Sequence, residues 1–423
     1  MSATLSNWSG HHTYQAARVH YPETVEEVQA LVRGARKVRA LGSRHSFNDI
    51  ADSPGDLISL ARCAAAPVID RARHTATVAA GAKYGELCGD LQGAGYALPN
   101  MASLPHISVA GAAATATHGS GARNGNLATV VSALELVTAD GALVRLSREE
   151  HGDQFAGAVV ALGGLGVVTR LTLDLVPAFE IRQDVYENLP LAQLDAHFDE
   201  IMSSAYSVSL FTDWRTEQVS MVWLKHRVTD GAPAAGAPTF FGATPAPVAR
   251  HPIMSLSAEA CTEQMGVPGP WYARLPHFRM EFTPSAGEEL QTEYLVPRPQ
   301  AVAALRAVAE MRDQIAPLLQ ISEVRSIAAD DLWMSPCYGQ DCVGIHFTWL
   351  KNWAGVSALL PRIEAALAPF QPAPHWGKLF TLPAAQVQAR YARLPDFQRL
   401  LHTYDPDGKF RNAFLDQYIF GTA

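Results

Sequence analysis

Leu41-Gly42-Ser43-Arg44-His45-Ser46-Phe47 follows directly on an apolar stretch, 38–41, that a capped helix precedes. A glycine-opened turn in that position exposes backbone N–H groups to a pyrophosphate, and His45 offers a ring nitrogen able to bond a carbon electrophile. A flavin dinucleotide meets both conditions. An ordinary strand exit with a solvated histidine would use the same residues, so the reading needs support from elsewhere in the chain.

Residues 98–121 supply that support: Leu98-Pro99-Asn100-Met101-Ala102-Ser103-Leu104-Pro105-His106-Ile107-Ser108-Val109-Ala110-Gly111, continued by Thr115-Ala116-Thr117-His118-Gly119-Ser120-Gly121. Small residues at 110–114 and 119–121 allow close backbone approach, while Ser103, Ser108, Thr115, Thr117 and His118 supply groups suited to phosphate and ribityl oxygens. A small-residue helix packed on a sheet shares this composition.

The surrounding pattern alternates helix and strand. Thr24 with Glu27 reads as a capping box, and Val25, Val28, Leu31, Val32 and Ala35 fall on one helical face, predicting a helix over 25–36. Strands are expected at 38–41, 75–80 and 167–175, a helix at 84–92, and a hairpin from 134–138 and 143–146 across Ala139-Asp140-Gly141. Pro177 closes this part. Beyond it, strands are expected at 208–211, 219–225, 278–282, 290–296, 321–327 and 343–350, with helices only at 300–317 and 356–368, so the second sheet reads as antiparallel with helices on one side. Residues 231–252 carry five prolines among Ala and Gly, which predicts an irregular surface excursion.

With 423 residues, 48% of them apolar and 17% charged, the chain can bury a large core and is expected to form two domains. A net charge of -8 without a Lys/Arg run argues against nucleic acid. No leader or membrane span is expected. Cys63, Cys88, Cys261, Cys337 and Cys342 are odd in number, scattered and lack Cys-x-x-Cys spacing; neither disulfides nor a metal site is predicted, and a cytoplasmic setting fits.

In Glu323-Val324-Arg325 and His346-Phe347-Thr348 the polar residues stand two apart, so on strands each pair shares a face. Two neighbouring strands would present Glu323, Arg325, His346 and Thr348 to one cavity as a polar floor for several hydroxyls. A solvated edge pair and a hydrogen-bonded core histidine are the plainer alternatives.

Together these segments closely resemble the alditol oxidases of the vanillyl-alcohol oxidase group of flavoproteins. The likeness runs nearly end to end, through Asn7-Trp8, Leu162-Gly163-Gly164-Leu165-Gly166-Val167, Phe211-Thr212-Asp213-Trp214-Arg215, Glu263-Gln264 with Gly266-Val267-Pro268-Gly269-Pro270-Trp271, and Asp405-Pro406 to Phe410 with Asn412. It implies an α+β fold of the two-domain vanillyl-alcohol oxidase type, with an antiparallel-sheet cap. Residues 1–178 and 376–423 would form the FAD-binding domain and 179–375 the cap.

The resemblance further implies FAD attached covalently through His45, the stretch matching a second, cysteinyl anchor having no cysteine. Cofactor contacts are implied at Leu41, Gly42, Ser43, Arg44, Ser46, Phe47, Ser103, Ser108, Gly111, Ala112, Ala113, Ala114, Thr117, His118, Val167, His375 and Asn412. Polyol binding is implied at Ser103, Gln291, Glu323, Arg325, Thr348 and Lys378, with His346, Lys378, Glu323 and Arg325 as the catalytic group. The implied reaction oxidises the terminal primary alcohol of a xylitol- or sorbitol-like polyol to an aldose, with dioxygen reduced to hydrogen peroxide, by a monomeric enzyme. Same-fold enzymes of aldonolactones using another acceptor, and a cofactor-free carbohydrate-binding protein, are the alternatives. One departure stands out: Arg44 occupies a position where a residue such as glycine is expected.

Overall fold

The computed structural model describes residues 5–228, 237–283 and 288–422. Three large sheets and a two-stranded pair, Tyr96–Ala97 with Val176–Pro177, organise the described residues. In the first, strands Arg18–His20, Asp56–Ser59 and Val38–Leu41 run parallel in that spatial order. Helix Val25–Gly34 makes the crossover, with Val28 and Val32 buried against the sheet. Thr24 caps it by accepting from the Glu27 amide at 3.2 Å, but the return arm of the expected box goes one residue early: Glu27 Oε2 accepts from the Glu23 amide at 2.8 Å. The helix ends two residues before position 36, because Ala35 turns extended to bury its methyl group.

The second sheet is antiparallel, in the order Val68–Asp70, Thr75–Ala79, Val167–Asp174, Val131–Val137, Leu143–Ser147. Its last two strands form the expected hairpin, with Gly141 at φ +81° in the turn. Helix Val109–Ala114, the small-residue stretch of the sequence, packs against strand Val167–Asp174 and lines the cavity described below.

The third sheet has nine strands, all drawn from residues 180–374: Thr244–Pro245, Glu180–Pro190, Gln218–Arg227, Ser207–Thr212, Leu319–Ile327, Cys342–Trp349, Leu290–Pro297 and Ala373–Pro374 in spatial order, with Gly269–Pro270 beside Glu180–Pro190. The pairings are antiparallel, as expected. Helices Gln193–Met202, Ala301–Ala309 and Trp353–Leu367 cover one face; there Tyr294 reaches helix Trp353–Leu367 and donates to Glu364 at 2.8 Å. The opposite face is polar at its centre.

Several expectations needed correction. Residues 278–282 form no strand: only Phe278 bridges, to Cys261, and its ring is drawn into a small apolar cluster with Phe211 and Trp223. The helix expected over 300–317 is two, Ala301–Ala309 and Arg312–Ile315, separated where Met311 leaves helical geometry at φ −94°, ψ 9°. Strand Glu180–Pro190 and helix Gln193–Met202 escaped the sequence reading, the strand because it carries Arg182 and Asp184, buried charges that resemble a solvated segment. Of the proline-rich stretch, 231–236 lies outside the described residues; the remainder is mostly irregular, apart from the two-residue strand Thr244–Pro245.

Candidate active site

A continuous cavity runs from the turn after strand Val38–Leu41 to the polar face of the nine-stranded sheet. At the turn, two serines lock the loops together: the Ser108 amide donates to Ser43 Oγ at 3.0 Å and the Ser43 amide to Ser108 Oγ at 3.3 Å. A side chain at Gly42 would place its Cβ 2.5 Å from Ser108 Oγ, so glycine is needed for this close approach. Arg44 adopts φ +63°, a left-handed conformation that costs a non-glycine residue about 1 kcal/mol, which accounts for the glycine expected there. Its guanidinium donates to the Ser6 carbonyl at 3.0 Å.

The His45 ring stacks on Trp8, with centroids 5.6 Å apart and planes 21° from parallel. Its Nδ1 stands 3.0 Å from Ser43 Oγ, whereas Nε2 is buried without a partner. Burial, with the charges of His106 and Lys83 behind it, pushes its pKa down to about 4, so the imidazole is neutral and carries a free lone pair. An orphaned ring nitrogen, a glycine cradle and paired serine hydroxyls fit a flavin dinucleotide. Of the residues predicted to touch it, Leu41, Gly42, Ser43, Arg44, Ser46, Phe47, Ser103, Ser108, Gly111, Ala112, Ala114, Thr117, His118 and His375 line the cavity with His45. Ala113, Val167 and Asn412 do not. Ala113 turns into the core, strand alternation gives the cavity Val168 in place of Val167, and Asn412 instead donates to the Asp49, Ile50 and Asp52 carbonyls while capping helix Ala413–Leu415.

At the other end, antiparallel register sets Glu323 beside His346 and His346 beside Glu293, with Ile321, Thr348 and Gln291 as the next row. The side chains predicted to share a face do so. Lys378, from the loop after Ala373–Pro374, donates to Gln291 Oε1 at 2.7 Å and to His346 Nδ1 at 3.0 Å. His346 Nε2 stands 3.1 Å from Thr348 Oγ1. Arg325 donates to Ser103 Oγ at 3.2 Å and to Glu293 Oε1 at 2.8 Å, and its Nε lies 3.6 Å from Glu323 Oε2.

Three residues of this network went unnoticed in the sequence: Glu293, His277 and Lys225. Glu293 is 1% exposed and is surrounded by Arg325, His118 at 3.2 Å, Lys378 at 3.4 Å and His346 at 3.5 Å. Its alternation with Gln291 was the available signal. His277 and Lys225 had none, because each joins the cluster through non-local packing. His118, Glu293 and His375 bring ligand atoms within 4.8 Å of one another, yet the Arg325 and Lys378 cations already neutralise that carboxylate.

Burial alone would raise both carboxyl pKa values. For Glu293 it is outweighed by Arg325, His118 and Lys378, and for Glu323 by Arg325 and His277, so both are held below the usual carboxylate range. Burial, then the neighbouring Lys378 charge, pushes His346 down to about 4. The face therefore combines two buried carboxylates, two cations and a neutral imidazole. Gly344 keeps it open: a Cβ there would lie 2.9 Å from Glu293 Oε1. Gly344→Ala should displace Glu293 from Arg325 and lower kcat/KM at least tenfold while the melting temperature changes by only a few degrees; unchanged steady-state kinetics would refute this.

Residues 16–147 match a family model described as an FAD binding domain, and 286–418 match one for D-arabinono-1,4-lactone oxidase. An alditol oxidase from a Streptomyces species is 51% identical over the whole of both chains. The chain belongs to the alditol oxidase family. More distant is L-gulono-1,4-lactone dehydrogenase of Mycobacterium tuberculosis, 29% identical over 99% of this chain and all of that one. The solved structure of cholesterol oxidase from B. sterolicum superposes with a TM-score of 0.79 over 98% of this chain and 96% of that one, at 14% identity, and speaks to the fold alone. This member of the family is an FAD-dependent oxidoreductase with the flavoprotein fold expected from its sequence. Among the described residues no helix is long and apolar enough to cross a membrane.

Proposed function

We propose that this enzyme oxidises the terminal primary alcohol of a xylitol- or sorbitol-like polyol to the aldose, with FAD held covalently by His45 and dioxygen as the acceptor, reduced to hydrogen peroxide. Residues 1–178 and 376–423 hold the cofactor and 179–375 form the cap over the substrate. One observation carries this reading: a buried face on which Glu323, Arg325, Thr348, Gln291 and Lys378 all present polar atoms to the cavity that reaches His45. A ligand with many hydroxyls satisfies such a face, whereas an apolar one would strand its charges.

FAD, when bound, supplies the two-electron acceptor for the carbinol hydride and the route for those electrons to dioxygen. The protein's part is positioning and proton handling. Glu323, Arg325 and Thr348 hold the non-reacting hydroxyls, which aligns the terminal carbon. Ser103 and Lys378 donate to the reacting oxygen; as Lys378 turns to it, the Nδ1 lone pair of the neutral His346 is released and takes the hydroxyl proton as charge develops. The scattered cysteines, five in number and all unpaired, suit a reducing cytoplasmic setting.

Two measurements test this. Precipitation with acid should give a yellow pellet, and peroxide should appear on addition of xylitol, sorbitol, mannitol or glycerol. Flavin left in the supernatant would remove the covalent role from His45. Dye reduction by an aldonolactone without peroxide release would move the enzyme to the lactone dehydrogenases, and a colourless protein would leave only carbohydrate binding.

A further inference from the structure

Behind the substrate face, a lysine that does not line the cavity is connected to it through a histidine. Lys225 lies on strand Gln218–Arg227 with 0% exposure, and its Nζ donates to the carbonyls of Leu275 and Pro276 and to His277 Nδ1, the last two at 3.1 and 3.2 Å. Burial pushes the Lys225 pKa down to about 7, but in either charge state Nζ is a donor here. The Glu323 carboxylate can only accept from Nε2, so Nδ1 of the neutral His277 ring is the bare nitrogen and accepts from Nζ. That assignment leaves the His277 proton on Nε2, which donates to Glu323 Oε1 at 2.8 Å.

We propose that Lys225 is a positioning residue for polyol binding: it selects the His277 tautomer that anchors one oxygen of Glu323 and leaves the other turned to the substrate hydroxyls. The inference rests on the polyol reading above. His277 is itself held in place, since its amide and that of Phe278 both donate to the Ser103 carbonyl, at 3.0 and 3.3 Å. Its ring is packed edge-on against Trp223 and Phe211, with centroids 5.1 and 5.6 Å away, so it cannot turn to compensate for a lost partner. Without the lysine, Nδ1–H is free to donate to a vacated carbonyl, and a bare Nε2 lone pair then faces the Glu323 carboxylate. Acceptor against acceptor pushes the carboxylate off its anchor.

Lys225→Met should raise KM for xylitol or sorbitol tenfold or more, with kcat within threefold of the parent. In a Glu323→Gln background the same substitution should shift KM by less than twofold, because the side-chain amide introduced there can donate to the bare Nε2. A purely structural lysine would instead give effects that multiply, and multiplicative effects overturn the proposal. If Lys225→Met does not fold, His277→Gln and His277→Leu decide. A glutamine amide can accept from Lys225 and donate to Glu323, so His277→Gln should keep KM within threefold while His277→Leu raises it at least tenfold, and equal KM values refute the relay. A parent enzyme inactive on every polyol would refute the functional reading itself; an active parent with unshifted KM in Lys225→Met refutes this inference alone.

Discussion

Arg325→Ala should lower kcat/KM on a polyol by three orders of magnitude or more and leave the flavin absorbance of the purified protein in place. Arg325 is 5% exposed and connects Glu293, Glu323 and Ser103, so its removal takes a counter-charge away from two buried carboxylates. Breaking a buried ion pair from one side costs about 3–5 kcal/mol, because the remaining charge loses its compensation. Both carboxyls, now held down chiefly by Arg325 against the pull of burial, would move up toward protonation and lose their capacity to accept from substrate hydroxyls. Arg325→Lys should recover little, since a single ammonium cannot serve three partners in the planar fork's geometry. Steady-state kinetics with a thermal melt checks both parts; a variant with parental kcat/KM would return Arg325 to a structural role.

The second large effect is expected at His45. His45→Ala should abolish flavin fluorescence in the denatured protein band and move all yellow colour into the acid supernatant. Native protein should still hold FAD without the bond, because the Gly42 approach and the Ser43–Ser108 lock do not depend on the imidazole. Turnover should fall tenfold or more, since a flavin relieved of its histidyl substituent is a weaker oxidant. A pellet that stays yellow in His45→Ala would place the attachment elsewhere.

Much of the fold was legible because its signals are local. The glycine turn, the capped helix before it and the hairpin around Gly141 each declare themselves within a dozen residues. The same holds for Glu323 with Arg325 and for His346 with Thr348, where the two-residue period of a strand sets the shared face. Reading failed where burial contradicts residue type. Arg182 and Asp184 hid a long strand, Glu293 passed as an ordinary acidic residue beside Gln291, and Phe278 with Phe282 imitated a strand that tertiary packing does not form.

By itself the sequence determined which side chains lie on a common face and where the backbone is able to approach a dinucleotide, because both follow from backbone period and glycine sterics. Only the tertiary structure decided which strands are neighbours and in what register, and with that the placement of Glu293 between Arg325 and Lys378 and of His277 and Lys225 behind Glu323. Those pairings join residues up to 85 positions apart, Glu293 with Lys378, and the field that sets their charges exists only once the chain has excluded water from the site.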